Sequence, residues 1–182
     1  KRKYFCYDCF IVTVPNADQV PHLELPFELT VIHHPKESRS KSTAVHAAVL
    51  SPTVQFHTFP NFPDMTNEEG TYLLFPTEDS LSMEDITGPV NRIIVLDTTW
   101  QKCGIMVQDP RIKDLPRIKI RTYATTFWRY QNKPSDHLAT IEAIYYFYRE
   151  YHTHQNGVYN GEYDDLLYFY TFFYQTVQNT YP

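Results

Sequence analysis

One carboxylate, Asp97, closes an apolar and mostly β-branched run, Ile93-Ile94-Val95-Leu96, that follows Arg92. Such a run predicts a buried parallel strand, and open α/β sheets gather their ligands at the carboxyl ends of their strands. Asp97 therefore stands where a side chain can move a proton or hold a positive charge. The competing assignment is a cap on a helix starting near Trp100, whose first N–H groups the carboxylate would accept. A second set of donors is Cys6-x2-Cys9, the spacing of half a zinc site; closure needs two further ligands, such as a histidine, and otherwise the pair is two uninvolved thiols. Cys103 shares a helical apolar face with Met106 and Val107 and reads as core.

Basic side chains fall in two blocks: His34, Lys36, Arg39 and Lys41, then Arg111, Lys113, Arg117, Lys119 and Arg121. Alternation with Ile118 and Ile120 puts Arg117, Lys119 and Arg121 on one exposed strand face, where they either track a phosphate backbone or guard a sheet edge. With a net charge of −5, any contact with a polyanion must come from local blocks of this kind. The five glycines are scattered and form no phosphate-cradling loop.

The elements that must carry these residues alternate. Strands are expected over Glu28 to His33, Val54 to Thr58, Thr71 to Phe75, Asn91 to Leu96 and Arg117 to Thr122. Helices are expected over Thr43 to Leu50, Ser80 to Ile86, Trp100 to Val107, Leu138 to Thr153 and Tyr163 to Val177. That order predicts a layered α/β domain, with Pro76, Pro110, Pro116 and Pro134 marking element ends. The last helix is crowded with rings; Leu166, Leu167, Phe169, Phe173 and Val177 form a packing stripe, with Tyr168, Tyr170 and Tyr174 at its rim. No apolar run has the length of a membrane span, and the few cysteines suggest a reducing compartment. No signal-peptide pattern opens the chain, and a first residue of Lys rather than Met leads us to expect a piece with its lead removed.

Five blocks in order carry a resemblance: His34-Pro35-Lys36-Glu37 with Lys41-Ser42-Thr43, Leu73-Leu74-Phe75-Pro76, Asp97-Thr98-Thr99-Trp100, Phe127-Trp128-Arg129, and Thr140-Ile141-Glu142-Ala143. Together they resemble the DTW-domain family of tRNA-uridine aminocarboxypropyltransferases, over nearly the whole chain. The resemblance implies a SPOUT-like fold with a knotted cofactor site across residues 16–182. It also implies that residues 1–15 are the C-terminal half of a zinc ribbon whose first Cys pair lies upstream.

The implied reaction moves the 3-amino-3-carboxypropyl group of S-adenosylmethionine to N3 of a D-loop uridine in tRNA, leaving methylthioadenosine. Asp97 is the expected general base; an ordinary carboxylate is weak for an imide, so stabilising the sulfonium and fixing the N3–H is the second role. Leu74, Phe75, Pro76, Leu96, Thr99 and Trp100 are expected to hold the donor's adenine and methyl, although Phe75 fits core packing equally well. Thr140 and Glu142 are expected to meet its amine, carboxylate or ribose. Ala139 stands where relatives commonly have Ser, which removes half of a capping box and leaves Glu142 open to being a cap remnant. Ser42 likewise stands where bacterial relatives tend to have Asn. His34, Lys36, Lys41, Arg117, Lys119 and Arg129 are the expected RNA contacts, and Cys6 and Cys9 the expected metal half-site. The remaining expectations are a monomer in the nucleus or cytoplasm, with no DNA or membrane partner. The alternatives are an RNA methyltransferase using the same donor and a catalytically silent RNA-binding module.

Overall fold

The computed structural model describes residues 3–126 and 137–180. The chain groups into two compact units, each assembled from separate stretches: residues 1–23, 43–51 and 121–182 in the first, residues 24–42 and 52–120 in the second. Residues 1–15, expected as half of a ribbon, fall in the first.

The second unit is built on the apolar runs. β1 (Glu28–His33), β2 (Val54–Thr58), β3 (Thr71–Leu74), β4 (Arg92–Asp97) and β5 (Arg117–Ile118) form one parallel sheet in the order β2-β1-β4-β3-β5. Five of the six residues of β1 and of β4 are buried, as the unbroken apolar runs require of central strands. On one face Ile32, Leu73, Ile94 and Leu96 pack with Cys103, Met106 and Val107 from the helix Trp100–Met106 and with Phe62, Met65, Ile112 and Leu115. The central pair is tied at its amino end, where Arg92 donates from Nε and Nη2 to the Glu28 carboxylate at 3.0 Å each and also pairs with Glu68.

Two expectations fail in this unit. The strand expected over Arg117 to Thr122 stops at Ile118, because the Lys119 N–H goes to the Leu81 carbonyl at 2.9 Å and Leu81 bridges Ile118 from outside. Arg117, Lys119 and Arg121 therefore do not form one exposed strand row; Arg117 and Lys119 are half-buried, and Arg121 belongs to the other unit. The helix expected over Ser80 to Ile86 is a single 3-10 turn, Met83–Asp85. Its serines bond locally instead: Ser80 Oγ donates to the Phe75 carbonyl at 2.8 Å, and Ser82 Oγ and N both reach Asp85 Oδ2.

The first unit is helical. α1 (Ala44–Leu50) precedes in sequence the 17-residue α3 (Thr140–Asn156) and α4 (Tyr168–Thr180), α2 being the helix Trp100–Met106 of the other unit. Val45, Leu50, Ile141, Ile144, Phe147, Tyr148, Leu166 and Phe169 are among its buried side chains. Phe5 is buried with its ring edge-on to Phe169 at 4.7 Å, so the cysteine segment shares the core of α4. The expected aromatic stripe forms: Leu166 and Phe169 are buried, and Leu167, Phe173 and Val177 half-buried. Tyr170 is buried rather than at the rim, and Asp164–Leu167 is a 3-10 turn ahead of α4. Among the described residues no helix is long and apolar enough to cross a membrane.

Candidate active site at the carboxyl edge of the sheet

The chain leaves β1 for its neighbour β2 on one side and leaves β4 for β5 on the other, so adjacent strands send their connections in opposite directions. Where that happens in an open parallel sheet, a crevice forms outside the strand carboxyl ends. His33 and Asp97 are the last residues of β1 and β4 and register partners, and Thr58 at the end of β2 is the partner of His33 on its other side. Register partners point to one face, so Thr58, His33 and Asp97 form a polar row across three strand ends.

Residues 34–42 fold over this row and bond to each of its members. Ser42 Oγ donates to Asp97 Oδ2 at 2.7 Å, His33 Nδ1 lies 2.6 Å from the same oxygen, His33 Nε2 lies 3.1 Å from the Glu37 carbonyl, and Arg39 Nη2 donates to Thr58 Oγ1 at 2.7 Å. His33 and Asp97 are both buried, and the Asp97 side chain keeps 7% exposure. The helix that follows has Thr99 at its N-cap, without a side-chain cap bond. Asp97 Oδ2 is thus engaged across the sheet by groups from 64 and 55 residues away.

Around this centre the charges are fixed. Lys102 Nζ donates to Glu37 Oε1 at 2.7 Å and holds that carboxyl below its ordinary range. Burial, then the Lys102 charge, lowers His34, so its ring is neutral near pH 7. Burial pushes the Cys103 thiol up to about 11, with the Asp97 charge adding to the effect.

A profile of the DTW domain matches residues 3–178. The chain belongs to the DTW-domain family. The tRNA-uridine aminocarboxypropyltransferase 1 of Mus musculus is 34% identical over 227 aligned positions, covering 98% of this chain and 74% of the mouse protein. Its Homo sapiens counterpart is 33% identical with the same coverage. Among solved structures, the SAM-dependent rRNA:acp-transferase Tsr3 from Vulcanisaeta distributa aligns with a TM-score of 0.49 at 16% identity, over 81% of this chain and 80% of that one.

In this DTW-domain protein the Asp-Thr-Thr-Trp element runs from the buried end of β4 to the exposed first turn of α2. Trp100 is 47% exposed and its ring lies 5.7 Å from that of half-buried Phe75, over which the Arg117 guanidinium also sits at 5.8 Å. Leu74 is half-buried, Pro76 and Thr99 are exposed, and Leu96 is in the core. Lys36 and Lys41 are exposed on the covering segment, where His34 Nδ1 accepts the Lys36 N–H at 3.1 Å. The expected donor contacts Thr140 and Glu142 belong to the other unit. There Glu142 Oε2 accepts from Thr125 Oγ1 and Ala139 N at 2.6 and 2.7 Å, and Oε1 accepts from Thr126 N at 2.9 Å. Arg129, with Phe127 and Trp128, lies outside the described residues.

Cys6 and Cys9 supply two sulfurs on one tight turn, and among the described residues no group of three or more His, Cys, Asp or Glu could hold a metal ion. The Cys6 thiol is lowered, chiefly by the Cys9 backbone N–H and then that of Asp8. Thiolate is the reactive form. At pH 8 iodoacetamide is therefore expected to label Cys6 and Cys9 while Cys103 stays intact until denaturant is added. Peptide mass spectrometry reads this directly, and rapid native labelling of Cys103 contradicts its placement.

Proposed function

We propose that this DTW-domain protein transfers the 3-amino-3-carboxypropyl group of S-adenosylmethionine to N3 of a tRNA uridine and releases methylthioadenosine. The observation that carries the reading is a buried carboxylate, braced by His33 and Ser42 at the switch point of a parallel sheet, beside a solvent-facing aromatic pair. The names of its relatives supply the substrate class.

The donor supplies a sulfonium-activated carbon and a neutral thioether leaving group. Phe75 and Trp100, with Leu74, Pro76 and Thr99, would hold its adenine and methyl, a partly exposed surface suited to a flat ring and a cation, with Leu96 in the core against which Phe75 packs. Asp97 orients the uracil N3–H and draws off its proton, and that positioning selects the carbon attacked, since methyl and aminocarboxypropyl carbons share one sulfur. Lys36, Lys41, Arg117 and Lys119 contact tRNA phosphates, and neutral His34 contributes a hydrogen bond rather than charge. Glu142 enters as the holder of residues 125–126 at the start of α3. A knotted donor site, a zinc ribbon to which Cys6 and Cys9 contribute and a monomeric state are part of the same proposal.

The test is incubation with tRNA and labelled S-adenosylmethionine, followed by mass spectrometry of both nucleosides. Aminocarboxypropyl-uridine with methylthioadenosine is the expected pair. Methyl-uridine with adenosylhomocysteine makes the protein a methyltransferase, and tRNA binding with neither product makes it a silent module.

A further inference from the structure

The hydrogen bonds of His33 constrain its protons. The Glu37 carbonyl oxygen can only accept, so Nε2, 3.1 Å away, carries a hydrogen and donates it. Nδ1 faces Asp97 Oδ2 at 2.6 Å, a charge-assisted distance that needs one proton between the two atoms, on nitrogen or on oxygen. Ser42 Oγ already donates to that oxygen. A carboxylate so placed does not act as a lone base; whatever proton it takes is shared with the ring behind it.

We propose that His33 and Asp97 form a proton-sharing dyad in which His33, a positioning residue, holds at Nδ1 the proton that Asp97 receives from the substrate. The inference rests on the aminocarboxypropyl reading for its substrate and on this geometry for its residues. In the dyad's basic form Asp97 is a carboxylate and Nδ1 carries a lone pair. As the N3–H bond breaks, its electron pair forms the new bond to carbon; the C–S pair passes to sulfur and the thioether leaves. The proton comes to rest between Oδ2 and Nδ1 and is later released to solvent. The two atoms share one proton, which belongs to the pair and not to either residue alone. The other titratable or charged groups near the pair are fixed in place: Glu37 is paired with Lys102, His34 is neutral, Arg39 is bonded to Thr58, and Cys103 stays a thiol. None of these replaces the imidazole.

The test combines an activity readout with one that needs no turnover. In ¹⁵N NMR of the free protein at neutral pH, His33 Nε2 is expected to be protonated and Nδ1 to show the shift of a nitrogen sharing a proton with a carboxylate, a signature lost in Asp97→Asn. His33→Gln, whose amide can still donate to Oδ2, is expected to keep both KM values within about threefold. Its kcat should fall about a hundredfold, the scale of a general base losing its proton partner. A His33→Gln enzyme with wild-type kcat, or an unprotonated Nε2, overturns the dyad. If wild-type protein forms no aminocarboxypropyl-uridine the functional reading fails, while the NMR result still decides the dyad.

Discussion

Asp97→Asn is expected to lower aminocarboxypropyl transfer by about a hundred- to ten-thousand-fold while leaving the fold intact. The substitution keeps shape and volume, and an amide NH2 in the place of Oδ2 can donate to His33 Nδ1 and to Ser42 Oγ, keeping both contacts that now hold the carboxylate. Lost are the negative charge and the capacity to take a proton. Under either role assigned to Asp97, as base for the N3 imide or as counter-charge to the sulfonium, that loss falls on the transition state, so kcat should drop and substrate affinity change little. Methylthioadenosine release under saturating tRNA and donor measures it, with circular dichroism confirming the fold. A variant that retains most of its rate removes Asp97 from the chemistry and leaves the carboxylate as a brace for the covering segment.

Asp97 was legible because an acid ending an apolar run is a local pattern, and β1 and β2 follow their expected bounds for the same reason. His33 carries the same signature, a polar residue closing Leu29-Thr30-Val31-Ile32, yet the neighbouring His34 drew the functional assignment. What separates them is strand order: β4 inserts between β1 and β3, making His33 the register partner of Asp97, and no local pattern encodes pairing across 64 residues. Ser42 was visible only as a departure from relatives, because its bond to Asp97 exists once residues 34–42 fold over the strand ends. The failure at residues 80–86 has the opposite cause, serine hydroxyls finding partners at short range that periodicity does not count. At residues 117–122 the cause is again distant, since the strand ends where the Lys119 N–H turns to the Leu81 carbonyl.

Glu142→Ala is the substitution expected to cost the most stability, about 3 kcal/mol. Glu142 is 3% exposed and each of its oxygens serves one backbone N–H and at least one threonine hydroxyl: Oε2 takes Ala139 N and Thr125 Oγ1, and Oε1 takes Thr126 N with Thr126 Oγ1 at 3.3 Å. Because Ala139 has no side-chain oxygen, Glu142 is the half of the capping box that survives, and it also ties residues 125–126 to the first turn of α3. Truncation leaves those donors without their acceptor, Thr125 and Ala139 being half-buried and Thr126 exposed; hydroxyls can turn away, but the two N–H groups cannot. For a chain of this size the loss amounts to a fall in Tm of roughly 6–12 °C. Glu142→Gln sharpens the argument. Either orientation of the amide sets its NH2 against one of the two backbone N–H groups, so Gln should fall between wild type and Ala instead of rescuing. Thermal and urea unfolding of both variants decide the point. An alanine variant within about 0.5 kcal/mol of wild type shows that these donors find other partners and frees Glu142 for the donor contact its motif suggested.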